Sequence, residues 1–250
     1  MNGSSGLKQE NLLSLHAGGF TIGRDLVVTR LGFGAMRITG HGIWGEPRDP
    51  DAVIKVLRRA VELGVNFIDT ADSYGPGGSE RLIADALCPY PSHLVIATKG
   101  GLERPGPNQW LDNGRPGHLR SACEGSLCRL RLERIDLYQL HRLDPKVPGE
   151  DQLGTLKELQ EAGKVKHIGL SEVTAAGRVV DSDNGLNRVA ARLNASPFQV
   201  ALAWLLARSR VMLPIPGTPS LAHLEENVAA AQLRIEPSGM REIDRIQGSS

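Results

Sequence analysis

Residues 65–75 read V-N-F-I-D-T-A-D-S-Y-G. Val65, Asn66, Phe67 and Ile68 read as a buried strand. Polar side chains crowd in directly after it: Asp69, Thr70, Asp72, Ser73 and Tyr74. Gly75, Pro76, Gly77 and Gly78 then end the element. An apolar strand that ends in an acid and a tyrosine aims ionisable groups out of its carboxyl end. In an α/β barrel, that end is where chemistry is done. The plain alternative is a turn in which Asp72 or Ser73 caps the next helix, so the flanking sequence decides.

Upstream, Asp49-Pro50-Asp51 starts a helix over 52–63, and Gly64 stops it. Residues 31–36 read as the first barrel strand, with Gly32, Gly34 and Ala35 small enough for close approach. Residues 20–29 form a hairpin with its turn at 23–25. Downstream, a helix over 79–87 leads to strand 94–98, which ends in Lys99. Helix 118–130 leads to strand 135–140, ending in His141, and helix 149–162 leads to strand 166–170, ending in Ser171. This strict alternation is the pattern of parallel β/α units.

After Ser171 the rhythm fails. Residues 174–184 are polar and irregular. Two helices follow, over 185–193 and 198–207, the second capped by Ser196. Only 211–215 then reads as a strand, before helices over 221–231 and 237–246. The expected fold is α/β, a TIM-type (β/α) barrel cut to about six strands rather than eight, with an N-terminal β-hairpin. Residues 1–18 read as a flexible leader and 19–250 as a single barrel domain.

The 250 residues are 40% apolar, enough for a sizeable core, and 29 basic side chains balance 28 acidic ones. That balance argues against a nucleic-acid or anionic-membrane partner. No run approaches the roughly 18 apolar residues of a membrane helix. Cys88, Cys123 and Cys128 are odd in number and widely spaced. They suggest neither a disulfide framework nor a metal site, and fit a reducing, cytoplasmic setting.

The strand ends assemble a candidate site. Asp69, Lys99, His141 and Ser171 terminate successive strands, and Tyr74 follows Asp69 closely. Tyrosine titrates near 10, too high to act well at neutrality. A neighbouring ammonium favours the phenolate. Asp69 can hold the Lys99 ammonium in place, and a tyrosine so tuned can give a proton to a carbonyl oxygen. Trp44 and Trp110 can supply an apolar wall for an aldehyde or ketone, or can simply pack on the barrel rim.

NFIDTADSYG, VIATKGG, DLYQLHR, HIGLS and MLPIPGTPS followed by HLEEN stand in this order. Together they resemble the aldo-keto reductases over about residues 20–246. The resemblance implies a (β/α)8 barrel that uses NADPH without metal, with NAD less favoured. It implies Asp69, Tyr74, Lys99 and His141 as a catalytic tetrad, Tyr74 being the acid and His141 orienting the carbonyl. Ser171 matches a serine that bonds the nicotinamide carboxamide. Gly217, Thr218, Ser220 and His223 match a loop at the adenosine 2′-phosphate, and Glu226 and Asn227 match groups at the adenine. His223 stands where many members carry arginine, and histidine is not reliably charged near neutrality.

Two departures have consequences. Glu172 replaces the usual asparagine beside Ser171, and a carboxylate cannot donate to the carboxamide oxygen. The sixth and seventh strands of the resembled family are absent, with the junction near 173–185. An unclosed barrel leaves strand edges bare, and bare edges pair with other chains. A homodimer through these edges and a weakened cofactor site are therefore expected. Two other functions compete with carbonyl reduction. One is a catalytically weak relative that binds or regulates; the other is a barrel lyase using Lys99 as a Schiff-base amine.

Overall fold

The computed structural model describes residues 13–171 and 184–247. A 3-10 turn, Leu13–Ala17, comes first. The Ser14 N–H donates to the Leu63 carbonyl at 3.2 Å, and Ser14 and Ala17 are buried. Packed structure therefore begins inside the stretch expected to be a leader. Strands β1 (Gly19–Ile22) and β2 (Leu26–Thr29) form the expected antiparallel hairpin. Leu26 and Val28 bury against Phe67, Val95, Ala97 and Leu137, so the hairpin plugs one end of the sheet. Asp25, in its turn, meets Lys166 and His167, each at 2.7 Å.

Five parallel strands form the central sheet: β3 (Phe33–Gly34), β4 (Phe67–Asp69), β5 (Val95–Gly100), β8 (Ile135–Leu140) and β9 (Val165–Leu170). They pair in chain order, the β/α rhythm read from the sequence. Between β5 and β8 lies a small antiparallel pair, β6 (Leu102–Glu103) and β7 (Leu111–Asp112). Nothing in the alternation signalled it. Helices α1 (Pro50–Glu62), α2 (Gly78–Leu87), α3 (Pro116–Leu130) and α4 (Gly149–Glu161) follow their strands. The Asp49 carboxylate caps α1 by accepting from the Ala52 N–H. Apolar faces of α1 and α2 bury against Phe33, Ile68 and Ile96. Leu119, Cys123 and Leu127 of α3 and Leu156 and Leu159 of α4 bury against Ile135, Tyr138 and Leu140.

The C-terminal part holds α5 (Asn184–Leu193), α6 (Pro197–Arg208), α7 (Leu221–Ala229) and α8 (Pro237–Gln247). Ser196 and Gln199 make a capping box on α6. Leu186, Val189, Val200, Trp204 and Ile243 form a separate core among α5, α6 and α8.

Two strand expectations need correction. The first barrel strand is two residues long, because Ala35–Ile38 turns into a 3-10 helix. The expected strand over 211–215 is not a ladder strand. It runs extended beside β3, where the Pro214 and Pro216 carbonyls accept from the Gly32 N–H at 3.0 Å and the Gly34 N–H at 3.3 Å. Both prolines lack the N–H that would continue the ladder. The sheet thus has five strands plus a docked segment instead of six. No strand pairs with the outer edge of β9 among the described residues. Ile168 and Leu170 are exposed there. Glu172 and most of the junction at 173–185 lie outside the described residues.

Candidate active site

Register brings the site together. Asp69 on β4 stands opposite Ala97 on β5, and Lys99 is two residues further along the same face. Gln139 on β8 stands opposite Lys99. His141 leaves the end of β8 with its N–H on the Gly100 carbonyl at 2.8 Å. Tyr74 lies in the loop between β4 and α2, its N–H on the Ala71 carbonyl at 3.2 Å. Asp69, Tyr74, Lys99 and His141 are all less than a tenth exposed.

The Lys99 ammonium donates to Asp69 Oδ1 and, at 2.9 Å, to the Thr70 carbonyl. It also bonds the Tyr74 side chain, and Nζ lies 5.3 Å from that ring's centroid. Gln139 Nε2 donates to Asp69 Oδ2 at 3.0 Å. Both carboxylate oxygens are therefore engaged, as a buried charge requires. Burial disfavours the Lys99 charge, but Asp69 and Tyr74 outweigh it and hold the ammonium above its ordinary range. The result is a fixed cation beside a phenol.

His141 packs edge-on to Tyr74, centroids 5.7 Å apart. Its Nδ1 lies 3.3 Å from the Ser73 hydroxyl. Burial, then the charges of Lys99, Arg142 and Arg104, push its pKa down to about 3. The imidazole is neutral at physiological pH. Trp110 stands edge-on to Tyr74 at 6.4 Å and to His141 at 6.3 Å. Trp44 joins the same wall through Arg104, which lies over both indoles. The three strand-end residues Asp69, Lys99 and His141 thus meet Tyr74 and Trp110, and Trp44 joins them through Arg104. Ser171 follows β9, its N–H on the Leu140 carbonyl at 2.9 Å.

The remaining candidates lie on α7 and the turn before it. Thr218 is buried, and its hydroxyl accepts from the Ser220 N–H at 3.1 Å. The Ser220 hydroxyl caps α7 by accepting from the His223 N–H at 3.4 Å. His223 and Glu226 are exposed, while Asn227 is buried. Gly217 packs so tightly on β3 that a Cβ there would strike the Gly34 carbonyl. A cavity of about 700 Å³ runs from Gly217 and Pro219 to Met36, Arg37, Thr39 and Asn108. It links the α7 turn to the loop after β3, though none of the four strand-end residues lines it. Met36, Arg37 and Thr39 carry no spacing signal, and sequence reasoning passed over them. Gln139 and Arg104 were also missed: one is a polar residue within an apolar strand, the other sits in a Pro- and Gly-rich loop.

The model of the Aldo/keto reductase family matches residues 30–181 and 176–247. An uncharacterized oxidoreductase of Schizosaccharomyces pombe is 43% identical over 267 residues, covering 88% of this chain and 87% of the relative. Pyridoxine 4-dehydrogenase of Escherichia coli is 38% identical over 279 residues, covering 91% and 97%. A crystal structure of a Klebsiella pneumoniae aldo-keto reductase in complex with NADPH superposes with a TM-score of 0.70 at 21% identity. It covers 88% of this chain and 91% of that one. The chain belongs to the aldo/keto reductase family.

Proposed function

We propose that the protein is an NADPH-dependent reductase of aldehydes or ketones, with Tyr74 as the acid. The observation that carries this reading is the buried Lys99 ammonium, held between Asp69 and Tyr74 with the neutral His141 ring alongside. The cavity between Met36, Arg37 and Gly217 has room for an extended ligand, and the amino end of α7 suits a phosphate. Gly217, Thr218, Ser220, His223, Glu226 and Asn227 would hold the adenosine end, and Ser171 the carboxamide. When bound, NADPH supplies a hydride to the carbonyl carbon.

The chain's own residues do the rest. A Ser73 hydroxyl donating to Nδ1 leaves the His141 proton on Nε2, ready to hold the carbonyl oxygen. Tyr74 gives that oxygen its proton, and the Lys99 cation stabilises the phenolate left behind. Asp69 and Gln139 keep the ammonium in place. The relative named for pyridoxine oxidation makes an aromatic aldehyde a sensible substrate, because Trp110 and Trp44 line the approach. The setting is reducing and cytoplasmic, in keeping with three unpaired cysteines. No described helix is long and apolar enough to cross a membrane.

A second reading, a weak or inactive binding relative, has one observation in its favour. The relatives' alignments run over 267 and 279 positions, yet draw on only 88% and 91% of 250 residues. The relatives carry sequence that this chain lacks, and the two family matches meet at residues 176–181. With the β9 edge bare of described strands, a homodimer through that edge is the expected consequence. Turnover separates the readings. With pyridoxal, NADPH oxidation is expected, and NADH should serve less well. No turnover of pyridoxal or of simple aldehydes, with NADPH still bound, would favour the second reading.

A further inference from the structure

Arg104 lies between β6 and β7, within the span the family model matches but outside the motifs that carry the resemblance. A guanidinium has five N–H donors, and here each finds a backbone carbonyl. Nε donates to Gln109 at 2.7 Å. Nη1 donates to Ile43 at 2.9 Å and Ser73 at 2.7 Å. Nη2 donates to Gly42 at 3.0 Å and Gly106 at 3.5 Å. These carbonyls belong to three separate loops. Arg104 makes no ion pair with a described acidic residue, so its geometry is set by the loops and not by a counter-charge. Its guanidinium carbon also lies 3.6 Å from the Trp110 ring centroid and 5.7 Å from that of Trp44.

The loop it grips is bent against its preference. Ile43 is β-branched yet has φ 55°, and Gly42, Gly45 and Asn108 are also left-handed. The Ile43 carbonyl accepts from Arg104 and from the Gly75 N–H at 3.2 Å, which ties the loop to the Tyr74 turn. Ser73, whose carbonyl Arg104 also holds, directly precedes Tyr74. One side chain thus joins the loop after β3, the Tyr74 turn and Trp110. A strained conformation persists only where its surroundings over-determine it.

We propose that Arg104 is the positioning residue of the carbonyl pocket. It locks Trp110 and the Gly42–Ile43 loop into a rigid wall beside Tyr74 and His141, which favours flat aromatic carbonyl compounds over small aliphatic ones. This rests on the reductase reading. The wall matters to a ring that lies against it and little to a short chain that does not reach it. Lysine cannot replace the arginine, because three donors on one nitrogen cannot span five carbonyls or stack on an indole.

The test compares Arg104→Met and Arg104→Lys with wild type on pyridoxal and propanal. KM for pyridoxal should rise about tenfold in both variants, with kcat changing less than about threefold. KM for propanal should stay within about twofold. Equal effects on both substrates, or none, would overturn the selectivity. A second readout needs no turnover. In a Trp44→Phe, Trp204→Phe background Trp110 is the remaining tryptophan, and removing Arg104 should raise its quenching by acrylamide. If wild type reduces neither aldehyde, the reductase reading fails. Quenching then decides the clamp: a rise upholds it, and unchanged quenching overturns it.

Discussion

Two regions of the molecule carry the two halves of the proposed site, and they are held by different means. Asp69, Lys99 and His141 come from adjacent strands in unbroken parallel register, buried and cross-bonded through Gln139. The α7 turn returns beside β3 on an extended segment whose prolines cannot donate to a ladder. Displacing a group in the first region disturbs the core. Displacing one in the second disturbs a docked strap. The proposed chemistry and cofactor binding should therefore be separable by mutation.

The largest effect is expected where chemistry and stability share a residue. Lys99→Met leaves the Asp69 carboxylate buried without its cation. Activity should fall at least about a hundredfold, and stability by about 3 kcal/mol in urea denaturation. Normal turnover in a folded Lys99→Met protein would break the assignment on this side of the comparison.

Gly217→Ala probes the other side. Its methyl would strike the Gly34 carbonyl and push the strap off β3. NADPH affinity should weaken about tenfold by fluorescence titration, while the loss of stability stays well below that of Lys99→Met. An unchanged dissociation constant would show that the strap does not set the cofactor site.

The smallest effect concerns Asp72, behind the Tyr74 turn. Burial, then the charge of Glu80, pushes its pKa up to about 7 from an ordinary 3.8. The folded protein therefore keeps a proton that the unfolded chain loses between about pH 4 and 7. Stability falls across that window as pH rises and stays low above it. Asp72→Asn, neutral throughout, should gain on the parent over the same window. The gain should be complete by about pH 8. A difference in stability that does not change between pH 5 and pH 8 would show that Asp72 titrates normally.

The same division governs what was legible in the sequence. Strand 135–140 could be read to the residue, and the start of α1 to within two residues from Asp49-Pro50-Asp51, because period and helix-start chemistry are local. Asp69, Lys99 and His141 were legible because each ends an apolar run in a parallel array, and Tyr74 because it closely follows Asp69. The strap was misread as a strand. Its apolar residues look β-like, and only its placement beside β3 shows that its prolines face the side where donors are needed. Gln139 gave no signal, since its role depends on facing Asp69 across a neighbouring strand. Arg104 gave none either, because the two other loops it joins to its own are 31 to 62 residues away in sequence.

The central claim is that Tyr74 protonates a carbonyl that has received hydride from NADPH. The direct measurement is mass spectrometry of the alcohol formed from pyridoxal with NADPH deuterated at the transferring position. Wild type should place one deuterium on the carbinol carbon. Tyr74→Phe should bind NADPH with similar affinity yet form product on the order of a thousandfold more slowly. Deuterium-labelled product formed equally fast by Tyr74→Phe would contradict the role given to Tyr74. Product without deuterium would contradict hydride transfer from the nicotinamide.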